Sequence, residues 1–167
     1  MRKVLIAALV LSLVVGFAGV VKAEDEGFSK IAVKVGYISP AESDIDGSIA
    51  AGVEYAIQEN EKSAITLGVN YAQPKVEDVD LTWLNVGATY KMKFAKEDVV
   101  GGPYAGLGID WVKIKITDFD FDENTVGGHV VAGYEFGGKY LVEAKYISAK
   151  KDDVKYGGLL FMAGMKF

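Results

Sequence analysis

The feature that most restricts what this chain can become is a period-two alternation that recurs from Lys30 to Phe167, each time leaving one face free of charge. It appears first in KIAVKVGY, where Ile31, Val33, Val35 and Tyr37 share one parity and Lys30, Ala32, Lys34 and Gly36 the other. Side chains on a strand point alternately to its two faces, so this spacing predicts a β-strand. The same pattern returns around Val53, Val69, Val86, Leu107, Val130 and Val142, and last in GGLLFMAGMKF. No helical apolar spacing extends beyond a turn or two, and no proline-rich, serine-rich or low-complexity linker divides the chain.

The second face decides where the apolar face goes. In a soluble sandwich or barrel the apolar faces meet inside, and the outer face carries Thr, Lys, Glu and other strand formers. Here it carries Gly36, Gly52, Gly68, Gly87, Gly106, Gly108, Gly127, Gly133, Gly158 and Gly164. Glycine weakens strands and gains nothing from solvent there. In a narrow closed barrel it makes room for the large side chains between. The expected fold is therefore all-β: an eight-stranded antiparallel up-and-down transmembrane β-barrel. Its strands are each near the roughly 9–11 residues that cross a bilayer when tilted, and its apolar face lies in lipid.

The amino-terminal stretch fits export. Arg2 and Lys3 precede a charge-free apolar run from Val4 to Val21, followed by Lys22, Ala23 and an acidic cluster. This predicts a signal peptide over residues 1–23 and a barrel domain over 24–167; the alternative is an uncleaved anchor, since the run approaches the ~20 residues of a membrane span. The whole chain has a net charge of -5, and losing Arg2, Lys3 and Lys22 makes it more acidic. An acidic surface argues against nucleic acid, whose affinity comes from neutralising phosphates. With no cysteine, neither disulfides nor a lipidated cysteine can hold the exported chain.

Aromatic residues fall where strands should meet the two membrane interfaces. With both termini periplasmic, Tyr37, Tyr71, Trp111 and Tyr146 lie at the tops of rising strands. Tyr55, Tyr90, Tyr134, Phe136, Tyr140 and Phe167 lie at the lower ends. Two such girdles are expected of a lipid-spanning barrel. The connections SPAESDIDG, QPKVEDVD, KITDFDFDEN and SAKKDDVK then become acidic outer loops.

The glycine-spaced KVGYISP, GLGID, GGHVVAGYEF and VEAKY, with the terminal GMKF, resemble small outer-membrane β-barrel proteins of the OmpX and OmpW type, over essentially the whole mature chain. The resemblance implies a Gram-negative cell envelope, lipid and lipopolysaccharide as surroundings, and a terminal strand ending in Phe167 that the barrel-assembly machinery reads. It also implies that the function is structural or interactive, or, as in OmpW-type barrels, the passage of small hydrophobic solutes.

Candidate chemistry is sparse. The only histidine, His129, points into the lumen with no serine near it in sequence, so a packed or hydrogen-bonded histidine is expected and no catalytic residue is assigned. Asp118, Asp120 and Asp122 alternate, but the calcium-loop template needs glycine where Glu123 stands and glutamate where His129 stands, so no metal or cofactor is expected. Lys34, Glu54, Lys91, Asp110, Glu135, Glu143, Lys145 and Lys166 all have lumen parity and are expected to form a polar filling. Beyond Trp111 the strand continues as VKIKI, with Lys113 and Lys115 outward, where they could meet lipopolysaccharide phosphates, and Val112, Ile114 and Ile116 inward, where they either pack within an ordinary protruding hairpin or line a hydrophobic mouth.

Overall fold

The computed structural model describes residues 30–76, 79–94, 101–116, 121–152 and 154–167. The segment expected to be a signal peptide, and Asp118 and Asp120, lie outside the described residues. Eight long strands are β1 (Ile31–Pro40), β2 (Ser48–Glu59), β3 (Ser63–Ala72), β4 (Val79–Lys93), β5 (Gly101–Ile116), β6 (Phe121–Phe136), β7 (Tyr140–Lys151) and β8 (Gly158–Lys166). Each pairs antiparallel with its sequence neighbours, and β8 also pairs with β1, from Ala32 opposite Lys166 to Pro40 opposite Gly158. The sheet is therefore closed and has no free edge along the barrel wall, which satisfies its backbone groups without solvent. Phe167 seals the seam: its amide donates to the Ile31 carbonyl at 2.7 Å and its carbonyl accepts from the Ile31 amide.

The strands are inside out relative to a soluble protein. Val35, Val53, Leu67, Leu107, Ile109 and Val130 stand on the outer wall, Leu107 and Ile109 more than half exposed. Lys34, Asn85, Asp110 and His129 are buried within. The inward glycines make this possible by leaving volume. A methyl on Gly87 would come within 2.2 Å of the Asp110 carboxylate, and one on Gly108 within 2.5 Å of the His129 ring. Gly36 acts on the backbone instead. A Cβ there would lie 1.7 Å from the Phe161 carbonyl, so glycine lets β1 approach β8 closely.

Two departures from simple alternation matter. The β2–β3 register slips between Ala56 and Gln58, a β-bulge that moves Glu59 from the outward parity to the inward one, opposite Ala64. One strand, β6, also runs further into its connection than the alternation suggests. β5 and β6 each span 16 residues; β5 ends at Ile116, as the alternation beyond Trp111 suggests, and β6 begins at Phe121, so Glu123 is a strand residue rather than loop. Lys75–Val76 folds back on Val79–Asp80, and Val154–Lys155 on Lys150–Lys151, as two-residue ladders.

A charge on the outer wall tests this inversion. Leu107→Arg, near the middle of β5, should lower stability by about 2–4 kcal/mol in urea unfolding from phospholipid vesicles. An unchanged urea midpoint would remove Leu107 from the hydrocarbon.

Candidate functional site

The barrel interior is built in levels, set by which inward positions of neighbouring strands lie beside one another. At the end where β1 begins and β8 finishes, Lys93 from β4 and Lys166 from β8 meet Glu59 from β2 and Glu135 from β6. Lys166 lies 2.7 Å from Glu59 and 3.3 Å from Glu135; Lys93 binds Glu59 and lies 3.9 Å from Glu135. One level further in, Lys34 and Lys91 meet Glu54 and Glu143. Lys34 Nζ lies 3.0 Å from Glu54 and 2.6 Å from Glu143, and Lys91 is bound to Glu54 and 3.6 Å from Glu143. The Tyr104 hydroxyl donates to Glu143 at 2.8 Å, and its ring faces the Lys91 ammonium at 4.9 Å. Each cluster holds two lysines and two glutamates and is neutral.

The third level centres on Asp110. One carboxylate oxygen accepts from Lys145 at 2.9 Å and from the Asn85 amide at 2.8 Å; the other lies 2.6 Å from His129 Nδ1. His129 Nε2 is 3.0 Å from the Thr89 hydroxyl. An imidazole donating Nδ1–H to Asp110 leaves Nε2 to accept from Thr89, so the ring is satisfied while neutral. Asp110, His129 and Thr89 thus stand in the order of a hydrolytic relay, but all three are buried and the hydroxyl faces the packed interior. The arrangement positions a histidine without presenting a nucleophile to substrate.

The fourth level is apolar. Ile38, Leu81, Trp83, Val112, Ile114, Ile147, Tyr156, Leu160 and Met162 form one cluster, with Ile45, Val76 and Ile116 packed on it. The Trp83 indole N–H donates to the Tyr156 carbonyl at 3.1 Å, which draws the β7–β8 connection over the cluster. The connections after β1, β3 and β7 are joined to one another. Ala41 N–H donates to the Gly157 carbonyl at 3.0 Å, Asp46 N–H to the Lys75 carbonyl at 2.8 Å, and Lys155 N–H to a Glu42 carboxylate oxygen at 2.9 Å.

All eight lumen charges named from parity are buried inside the wall, and the structure sorts them into these three levels. Glu59, Lys93, Tyr104, Asn85 and Thr89 complete the clusters beyond those eight. Lys93 lies one inward step past Lys91 and is readable from parity; Glu59 is not, because only the bulge turns it inward. Val112, Ile114 and Ile116 point inward, but Val112 is fully buried and Ile114 nearly so, and the space between them is filled by neighbouring side chains rather than open. Lys113 and Lys115 face outward, Lys113 paired with Asp122 at 2.8 Å. Tyr37, Tyr55, Tyr90, Trp111, Tyr134, Phe136, Tyr140 and Tyr146 stand exposed on the outer wall; Tyr71 and Phe167 are half-buried. Among the described residues no group of acidic and histidine side chains has a metal-binding arrangement.

A closed eight-stranded barrel with an apolar exterior and a neutralised ionic interior is the architecture of a small outer-membrane barrel. The family model for the outer membrane protein beta-barrel domain matches residues 7–167, and the chain belongs to that family, residing in the outer membrane. Its fold is similar to that of Neisserial surface protein A, NspA (TM-score 0.61, 16% identity, 85% of this chain and 100% of that one). It is also similar to Ail, the attachment invasion locus protein of Yersinia pestis (0.51, 17%, 84% and 100%). A third similar barrel is OprG from Pseudomonas aeruginosa (0.54, 12%, 83% and 96%). A search of curated proteins finds no match to the sequence.

Removing one member of a buried ion cluster should cost more than removing a matched pair. Glu143→Leu leaves Lys34 and Lys91 sharing one carboxylate and should destabilise the barrel by about 3–5 kcal/mol in urea unfolding. Adding Lys34→Met restores neutrality beside the remaining Lys91–Glu54 pair and should recover most of that loss. Additive losses in the double variant would contradict pairing.

Proposed function

We propose that the protein is a non-enzymatic, non-conducting envelope barrel that acts as a structural element and as a platform for surface interaction through its acidic outer loops. The observation that carries this reading is the closure of the outer end. The connections after β1, β3 and β7 are hydrogen-bonded to one another above an apolar cluster, so among the described residues the barrel presents a joined loop surface over a filled end. That surface exposes Asp44 beside Glu42 and Asp46, and its opposite charge would be found on a cationic partner. NspA and Ail carry surface location and attachment in their names. Those words describe those proteins; here the support comes from the joined loops.

The remaining roles follow from the same orientation. Residues 1–23 serve as the cleaved leader, and the strand ending in Phe167, stitched to Ile31 at the closing seam, is what the barrel-assembly machinery engages. The outer-wall aromatics from Tyr37 to Phe167 sit at the two lipid interfaces, with Lys113 and Lys115 above them at the height of lipopolysaccharide phosphates. Passage of a small hydrophobic solute is the second reading, favoured only by the apolar character of the Val112–Ile114 level. It requires that Val112, Ile114 and Leu160 be displaced, because these side chains are buried against one another.

Neutralising the first loop tests the platform. Vesicles carrying the barrel should bind an immobilised lysine-rich peptide in a salt-dependent way, and the combined Glu42→Gln, Asp44→Asn and Asp46→Asn variant should bind several-fold less while remaining folded. Glutamine keeps the acceptor that Lys155 uses. Equal binding by the variant would contradict a role for these carboxylates.

A further inference from the structure

Between the two ion clusters lies a cavity of about 10 Å³ lined by Thr66 together with members of both clusters. It exists because β1, β2 and β3 turn alanines inward at this level: Ala32, Ala56 and Ala64 leave room that any longer side chain would fill. Thr66 is buried, and among the described residues its hydroxyl makes no hydrogen bond to a protein group. A buried hydroxyl left without a partner is costly and calls for a physical explanation.

We propose that this cavity is a site for one ordered water molecule, held by the Thr66 hydroxyl and joining the Glu54–Lys91 cluster to the Glu59–Glu135–Lys166 cluster. Size and charge both select water. A cavity needs roughly 10–15 Å³ to hold one water, so this one takes a single molecule and nothing larger. Its charged lining is balanced, with Glu54, Glu59 and Glu135 against Lys30, Lys91 and Lys166, so an ion of either sign would meet no net attraction. Water both donates and accepts, and can therefore serve a hydroxyl, a carboxylate and an ammonium together. Lys30, exposed at the rim, lines the same cavity and places its opening at the end where β1 begins.

Valine at position 66 matches threonine in shape and favours strands at least as well, so the variant removes the hydroxyl alone. If the water is there, Thr66→Val breaks its anchor and should lower the thermal unfolding midpoint of the detergent-folded barrel by roughly 2–4 °C. If the hydroxyl is orphaned, its removal should leave the midpoint unchanged or raise it, and that result overturns the proposal. The unaltered protein gives an independent reading: nuclear Overhauser transfer from a long-lived water to the Thr66 methyl in micelles is expected. Its absence would overturn the assignment whether or not the variant folds.

Discussion

Everything in this barrel follows from the need to neutralise charge at close range inside a narrow wall. A lysine facing lipid near the midplane would cost ~2–4 kcal/mol, so the charged residues in the middle of the strands turn inward. Once inside, each is removed from water and is tolerated only beside its opposite. The two tetrads, Lys93 and Lys166 with Glu59 and Glu135, and Lys34 and Lys91 with Glu54 and Glu143, meet that condition with equal numbers. Asp110 meets it with Lys145 and a hydrogen-bonded His129. Because partners come from different strands, the pairing also fixes which residues must be level. A one-residue slip between strands would turn these charges out into lipid.

The glycines and the ions are two halves of one solution. Asp110 and His129 fit because Gly87 and Gly108, on adjoining strands, have no side chain to collide with them. Towards the outer loops the filling changes character, and Trp83, Val112 and Leu160 close the lumen by packing instead of pairing. The Trp83–Tyr156 hydrogen bond ties that cluster to the β7–β8 connection, and through Gly157 and Ala41 to the first loop. Loop order and lumen closure are therefore one structural property rather than two.

Much of this can be read from the residues in order. Strict alternation with glycine on the charged face indicates a closed barrel and its inside-out polarity, because only one face of each strand can tolerate lipid. The inward position of Lys34, Lys91 and Glu143 follows from parity alone. What alternation cannot provide is adjacency. Lys34 and Glu143 are 109 positions apart and meet only because the barrel closes through β8. Glu59 is hidden by a bulge, whose slip at Ala56 and Gln58 leaves no mark in a period-two pattern. Parity orients the apolar residues beyond Trp111 correctly, but whether they frame an opening or fill one depends on Trp83, Tyr156 and Leu160 arriving from other parts of the chain.

We propose that neutral ion clusters and an apolar cap, as the described residues form them, leave no continuous path through the barrel. Conductance of the refolded protein in a planar lipid bilayer under applied voltage tests this most directly. The account predicts bilayers that contain folded protein yet show no stepwise openings. Steady openings whose ion selectivity changes when Glu143 is replaced by glutamine would place an aqueous path beside that carboxylate and contradict it.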